Sequence, residues 1–170
     1  MKTYASLIRT VVDFPKPGIA FKDITPLLQD PRAVQACLTQ MVADIKGPVD
    51  YVVGVEARGF IFGPLLAQKL NCGFVPVRKK GKLPYQTLQV AYDLEYGQDH
   101  LEMHIDAIAS GARVVLHDDV LATGGTAKAA IKLIEQLGGE VVHCHFLIEL
   151  AALQGRAALL PHKIDAVFTF

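Results

Sequence analysis

The chain has no tryptophan and only three cysteines in 170 residues. Cys37, Cys72 and Cys144 form no Cys-x-x-Cys pair, which argues against a zinc knuckle or a disulfide framework and fits a reducing compartment. Neither sign of charge is in excess: 17 Lys+Arg meet 17 Asp+Glu, so there is no global basic field to collect nucleic acid or anionic membrane. Any bound anion must be caught locally. No apolar run approaches a membrane span, and the opening MKTYASLIRT lacks the unbroken apolar stretch of a signal peptide. A cytoplasmic protein with no membrane and no nucleic-acid partner is expected. G-x-x-x-x-G-K-S/T and G-x-G-x-x-G are both absent, which disfavours a P-loop triphosphatase and a dinucleotide enzyme.

What is present is a globular balance, 51% hydrophobic and 20% charged, in a length that suits one domain over residues 1–170. Ser6 to Val12 is a short amphipathic opening, and Phe14-Pro15-Lys16-Pro17-Gly18 reads as a loop. Asp30 caps a helix with Pro31 at its first position; Val34, Leu38, Met41, Val42 and Ile45 keep helical spacing until Gly47-Pro48. Tyr51–Val55, Phe60–Leu70 and Gly73–Val77 form a strand, helix and strand, with Asn71 ending the helix. Arg78 to Pro84 is too polar for a core element and leads, as a flap, into an antiparallel ribbon in which Leu88, Val90, Tyr92 and Leu94 alternate. Arg113–Leu116, Thr126–Leu137 and Val141–Leu150 repeat the strand–helix–strand pattern. The fold class is α/β: an open, mostly parallel central sheet flanked by helices, with ligands at the carboxyl ends of its strands.

The chemistry concentrates in Asp118-Asp119-Val120-Leu121-Ala122-Thr123-Gly124-Gly125-Thr126, which joins a strand, an acidic pair, a small-residue loop and a helix start. Ala122 to Thr126 carry little bulk, so main-chain N–H groups can close around a phosphate where the helix also points its unpaired donors. Two carboxylates beside a phosphate would repel it. Asp118 and Asp119 therefore face something else on the same ligand, either sugar hydroxyls or magnesium.

This segment resembles the 5-phosphoribosyl 1-diphosphate (PRPP) motif of the type I phosphoribosyltransferases. FPKPGIAFKDITPLL, GVEARGFIFG, RKKGKLP, LEYG, DDVLATGGT and IEL, in that order, resemble the adenine-specific branch. The resemblance implies a purine-salvage transferase that converts adenine and PRPP to AMP and pyrophosphate with Mg2+, as a homodimer, through an oxocarbenium-like transition state. It implies that Asp118 and Asp119 hold the ribose hydroxyls and that Ala122, Thr123, Gly124, Gly125 and Thr126 hold the 5′-phosphate. Glu56, Ala57, Arg58 and Gly59, often across a cis peptide, would take the pyrophosphate with Arg78 and Lys82, Arg78 reaching across the dimer. A small N-terminal hood, about residues 1–30, would supply Phe21 to one face of adenine and main-chain groups of Ala20 and Lys22 to its edge; Leu150 would cover the other face. A flap over about residues 82–97 would close on the ligands, with Glu95 handling the purine proton and Tyr96 beside it. Magnesium would be held through PRPP and water near Asp118 and Asp119, with no direct protein ligand.

Lys79 and Lys80 read as solvated, His117 as a satisfied histidine at a strand end, and the pairs His143/His145 and His100/His104 lack a third metal ligand. A phosphoribosyltransferase for another nucleobase and a PRPP-sensing regulator are the alternatives; the latter would ordinarily carry a DNA-binding domain for which neither length nor charge provides.

Overall fold

The structure, a computed structural model, describes residues 2–94 and 97–170, and the chain divides into two compact units, Met1–Gln40 and Met41–Phe170. In the first, a helical turn, α1 (Lys2–Ala5), precedes the amphipathic opening, which ends in a strand, β1 (Arg9–Val12), paired antiparallel with β2 (Ala20–Asp23). The Phe14–Gly18 loop is closed by the Asp13 carboxylate, which accepts the Gly18 N–H at 2.7 Å. Asp23 takes Arg9 in an ion pair and accepts from Thr25, whose main-chain N–H does most to hold the carboxyl down at about 2. A short helix α2 (Thr25–Leu28) precedes α3 (Pro31–Asp44). Asp30 accepts the Arg32 and Ala33 N–H groups, so it caps α3 as its position before Pro31 predicts. Ala33, Cys37, Leu38, Met41 and, one residue past the helix, Ile45 are buried, whereas Val34 and Val42 are only half so.

The second unit is built on β3 (Tyr51–Val55), α4 (Gly59–Leu70), β4 (Gly73–Lys79), β5 (Thr87–Leu94), β6 (Gly97–His104), β7 (Arg113–Leu121), α5 (Gly125–Gln136), β8 (Glu140–Glu149), α6 (Gly155–Ala158) and β9 (Ile164–Thr169). Its seven strands lie in the order β5-β6-β4-β3-β7-β8-β9. The five from β4 to β9 are parallel, and β6 and β5 continue the sheet antiparallel. The chain winds one way from β3 to β4 and the other from β7 to β8, so right-handed crossovers put α4 and α5 on opposite faces. The carboxyl ends of β3 and β7 meet where that order reverses, the crevice in which open α/β sheets bind ligands.

Packing follows from residue size. A Cβ on Gly54 or Gly63 would sit 2.6 Å from the Phe74 ring, so these two glycines make room for the ring that seats α4 on the sheet. Asn71 takes the left-handed conformation (φ 54°) that ends α4. Ala127, Ala130, Ile131, Leu133 and Ile134 of α5 are buried with Val53, Val77, Leu116 and Phe146 of the sheet. Two expectations need correcting. β4 runs on through Arg78 and Lys79, because their main chains pair with Glu102 and Leu101 of β6. β7 does not end at Leu116 but carries the acidic pair within it to Leu121, since β8 pairs with it that far. The antiparallel ribbon of β5 and β6 forms as expected and makes one edge of the main sheet, with Val90 buried.

Three buried imidazoles line the β7–β8 pair. His117 donates Nδ1–H to the His145 carbonyl at 3.0 Å, His145 Nε2 lies 3.1 Å from Asp44, and His143 Nε2 lies 2.9 Å from Asp165. Burial pushes His117 down to about 3 and His143 down to about 4 from 6.5. Folded, they stay neutral while the unfolded chain protonates, so their contribution to stability is complete above about 6.5 and is lost as pH falls toward 3–4. A His117→Asn/His143→Asn variant, whose amide at position 117 can still donate to the His145 carbonyl, should therefore lose less stability than the parent between pH 6.5 and 4. The difference approaches about 1.4 kcal/mol per pH unit per histidine, read by denaturant titration at each pH; identical slopes would refute it.

Candidate active site

The turn after β3 and the end of β7 build one cavity of about 430 Å3. It brings together Glu56, Ala57, Arg58, Asp118, Asp119, Ala122 and Thr126, all singled out from sequence. The Glu56–Ala57 peptide is cis. Gly59 follows because a Cβ there would lie 3.1 Å from both Asp118 Oδ1 and the His117 carbonyl oxygen; glycine lets the turn close onto the acidic strand.

Asp119 is buried at 4% exposure and Asp118 is half-buried. Burial raises both carboxyls above their usual 3.8; the neighbouring Asp119 charge pushes Asp118 further, while Arg58 draws Asp119 back. Arg58 Nε stands 2.8 Å from Asp119 Oδ2, and Asp118 Oδ1 accepts the Asp119 N–H at 2.8 Å.

Beyond the acids, a recess of about 80 Å3 is walled by Val120 to Ala127. Gly124 has φ +87° and caps α5, whose first main-chain bond runs from Lys128 N–H to the Gly124 carbonyl. The donors ahead of Lys128 thus have no acceptor within the helix, and with the dipole they suit a phosphate.

Glu56 anchors the charged segment. Its carboxylate accepts from Arg78 Nη2 (2.8 Å), Lys82 Nζ (3.2 Å) and the Lys79 N–H (3.1 Å), and these donors, Arg78 foremost, hold it down at about 2. Arg78 also donates Nη1 to the Lys82 carbonyl at 2.9 Å. Sequence reasoning missed Glu102, a buried carboxylate that accepts the Lys82 and Leu83 N–H groups at 2.9 Å each. Lys79 is exposed as expected, but it closes β4 and does not sit in a loop: register with β6 puts it on the cavity wall, its ammonium 2.9 Å from Asp99. Lys80 is exposed as expected. Tyr92, on the cavity wall too, donates to Asp99 at 3.3 Å.

Leu150 is half-buried and donates its N–H to the Leu121 carbonyl at 2.9 Å. In the first unit, Phe21 is half-buried edge-on to Phe14 with ring centroids 5.1 Å apart, Ala20 is exposed, and Lys22 donates to Thr10. Glu95 and Tyr96 lie outside the described residues. His143 and His145 each have a carboxylate partner, and among the described residues no group of three or more His, Cys, Asp and Glu is disposed to hold a metal ion.

Comparison with known proteins agrees with this geometry. The profile of the phosphoribosyl transferase domain matches residues 23–170. The adenine phosphoribosyltransferase of Flavobacterium johnsoniae is 57% identical over 164 residues, 96% of each chain. The crystal structure of the Rhodothermus marinus adenine phosphoribosyltransferase superposes with a TM-score of 0.96 at 55% identity, covering 99% of this chain and 97% of that one. The Saccharomyces cerevisiae enzyme, solved with an imino-altritol bisphosphate and adenine, gives 0.90 at 38% identity over 98% and 99%. The chain therefore belongs to the adenine phosphoribosyltransferases of the type I phosphoribosyltransferase fold.

Proposed function

We propose that this chain transfers the phosphoribosyl group of PRPP to adenine, releasing pyrophosphate and forming AMP in purine salvage. The observation that carries it is the pairing, at one strand end, of two adjacent carboxylates with a loop of main-chain donors. That combination suits a sugar bearing a phosphate: Asp118 and Asp119 accept from the 2′ and 3′ hydroxyls, and Ala122 to Thr126 donate to the 5′-phosphate. Held at both ends, the ribose can turn C1′ only toward the cavity, and this orientation is the main gain over solution. As the bond from C1′ to the diphosphate lengthens, positive character grows on the sugar and negative charge on the leaving oxygen. The two carboxylates answer the first; Arg58, with the cis turn from Glu56 to Gly59, Arg78 and Lys82, answers the second. Adenine N9 then bonds to C1′ as the old bond breaks, and the purine proton at N7 is managed by a general acid or base, a role assigned to Glu95 with Tyr96 beside it.

The acid pair fits Mg2+ held through diphosphate and water. Two adjacent acids stand at the cavity, with Arg58 ion-paired to Asp119 and Asp118 accepting the Asp119 N–H, and this oxygen-rich pair suits a hard cation. When bound, the ion supplies neutralisation of the leaving diphosphate. For the base, Leu150 is assigned as an apolar cover, and Phe21, with main-chain groups of Ala20 and Lys22, as the reader of the adenine face and edge. An edge built to meet a 6-amino group rejects a 6-oxo purine, which leaves a buried acceptor unpaired. No described helix is long and apolar enough to cross a membrane, and Cys37, Cys72 and Cys144 are free thiols, in keeping with a cytoplasmic enzyme. Exposed Ile61 and Leu65, one turn apart on α4, support a homodimer.

Two experiments test this reading. In a competition assay with PRPP and Mg2+, adenine alone among adenine, hypoxanthine, guanine, xanthine and orotate should yield its nucleotide; turnover of a 6-oxo purine at a similar rate would replace the reading with another base. Asp118→Asn should lower kcat/KM for PRPP about 10- to 100-fold, the worth of a charged hydrogen bond of about 1.5–3 kcal/mol. The same variant should be more stable than the parent at pH 7. A raised carboxyl supports the fold only while protonated, fully below 3.8 and progressively less as pH climbs through its folded value. Calorimetry should show a Tm gain, about 2–4 °C per kcal/mol relieved, that shrinks on acidification; a loss of Tm at pH 7 would contradict the assignment of burial as the cause.

A further inference from the structure

The two carboxyl-terminal segments that support the site are joined by an ion pair that lines neither cavity. Glu149 closes β8, is 7% exposed, and sits in register between Leu121 of β7 and Thr169 of β9. Arg156 occupies both of its oxygens, Nε at 2.7 Å from Oε1 and Nη2 at 2.8 Å from Oε2, and donates Nη1 to the Ile164 carbonyl at 2.6 Å. This is the two-pronged geometry that a guanidinium can make and an ammonium cannot.

The turn that Arg156 holds is in direct contact with the phosphate loop. A Cβ on Gly155 would overlap the Ala122 carbonyl oxygen and lie 2.9 Å from Leu121 Cδ1. From the other side, a Cβ on Gly124 would lie 2.8 Å from the Gly155 carbonyl oxygen and 3.0 Å from Ala158 Cβ. The loop therefore leans on residues 155–158 with no slack. Leu150 follows Glu149 directly and is tied by its N–H to the Leu121 carbonyl, so one clamp bears on both.

We propose that Glu149 and Arg156 are positioning residues: their ion pair sets the phosphate loop and Leu150 in one register, so that phosphate and base are gripped together. The proposal rests on the assignment above of Ala122 to Thr126 to the 5′-phosphate and Leu150 to the base. Displacing the clamp moves both grips, and an ångström-scale misplacement of this kind costs up to about 10²-fold in kcat/KM.

The test is steady-state kinetics on the full-length Arg156→Lys and Glu149→Gln variants, with calorimetric binding of ribose 5-phosphate, which needs no base, alongside. Arg156→Lys keeps the charge and loses the fork. KM for PRPP and KM for adenine should rise together, ribose 5-phosphate should bind correspondingly more weakly, and the pH–rate profile should keep its shape. Glu149→Gln, which keeps the shape and removes the charge, should raise the same two KM values and serves if Arg156→Lys does not fold. Both KM values and ribose 5-phosphate affinity unchanged, with only the active fraction reduced, would overturn the proposal. A parent enzyme that fails to use adenine, yet whose ribose 5-phosphate affinity falls in Arg156→Lys, would overturn the base assignment and leave the clamp on the phosphate loop standing.

Discussion

Two carboxylates placed side by side at the end of a buried strand govern the rest of this structure. Burial penalises Asp118 and Asp119 alike and raises both carboxyls above their usual range, and the Asp119 charge pushes Asp118 further. A fold selected for stability alone would not retain them. Their surroundings offset part of the cost: Arg58 stands against Asp119, and the Asp119 N–H is given to Asp118. The strand end also lies where the sheet reverses its winding, so the β3 turn and the α5 amino terminus converge on the same crevice.

A chain of zero net charge concentrates its cations by local pairing. Glu56 gathers Arg78 and Lys82, and Glu102 pins the main chain of Lys82 and Leu83. Lys79 is held by Asp99 on the cavity wall, where a polyanionic leaving group would find it. The same logic operates at Glu149 and Arg156 on the other side of the phosphate loop, where a buried carboxylate is met by a guanidinium fork.

Much of this is legible in the chain because the signals are local. Asp30 before Pro31, Asn71 between helix and strand, and the glycine turn before α5 each state a main-chain requirement within a few residues, and each element begins or ends where those residues indicate. The DDVLATGGT segment is readable for the same reason, since the acids and the donors lie within nine consecutive residues. What stays hidden depends on partners distant in sequence. The full length of β7 follows from pairing with β8, and the placement of Lys79 from register with β6. Glu102 looks like any strand-surface acid until the 82–83 backbone is brought over it. β9 has a local signal in Ile164, Val167, Phe168 and Thr169, but its place beside β8 depends on pairing that the stretch itself does not state.

The central claim is that one sugar is held by its hydroxyls at Asp118 and Asp119 and by its 5′-phosphate at residues 122–126. A crystal structure of the full chain with AMP tests it most directly. The account predicts density for the ribose hydroxyls against the two carboxylates and for the phosphate in the recess ahead of α5. AMP bound elsewhere, with that recess filled only by solvent, would contradict it.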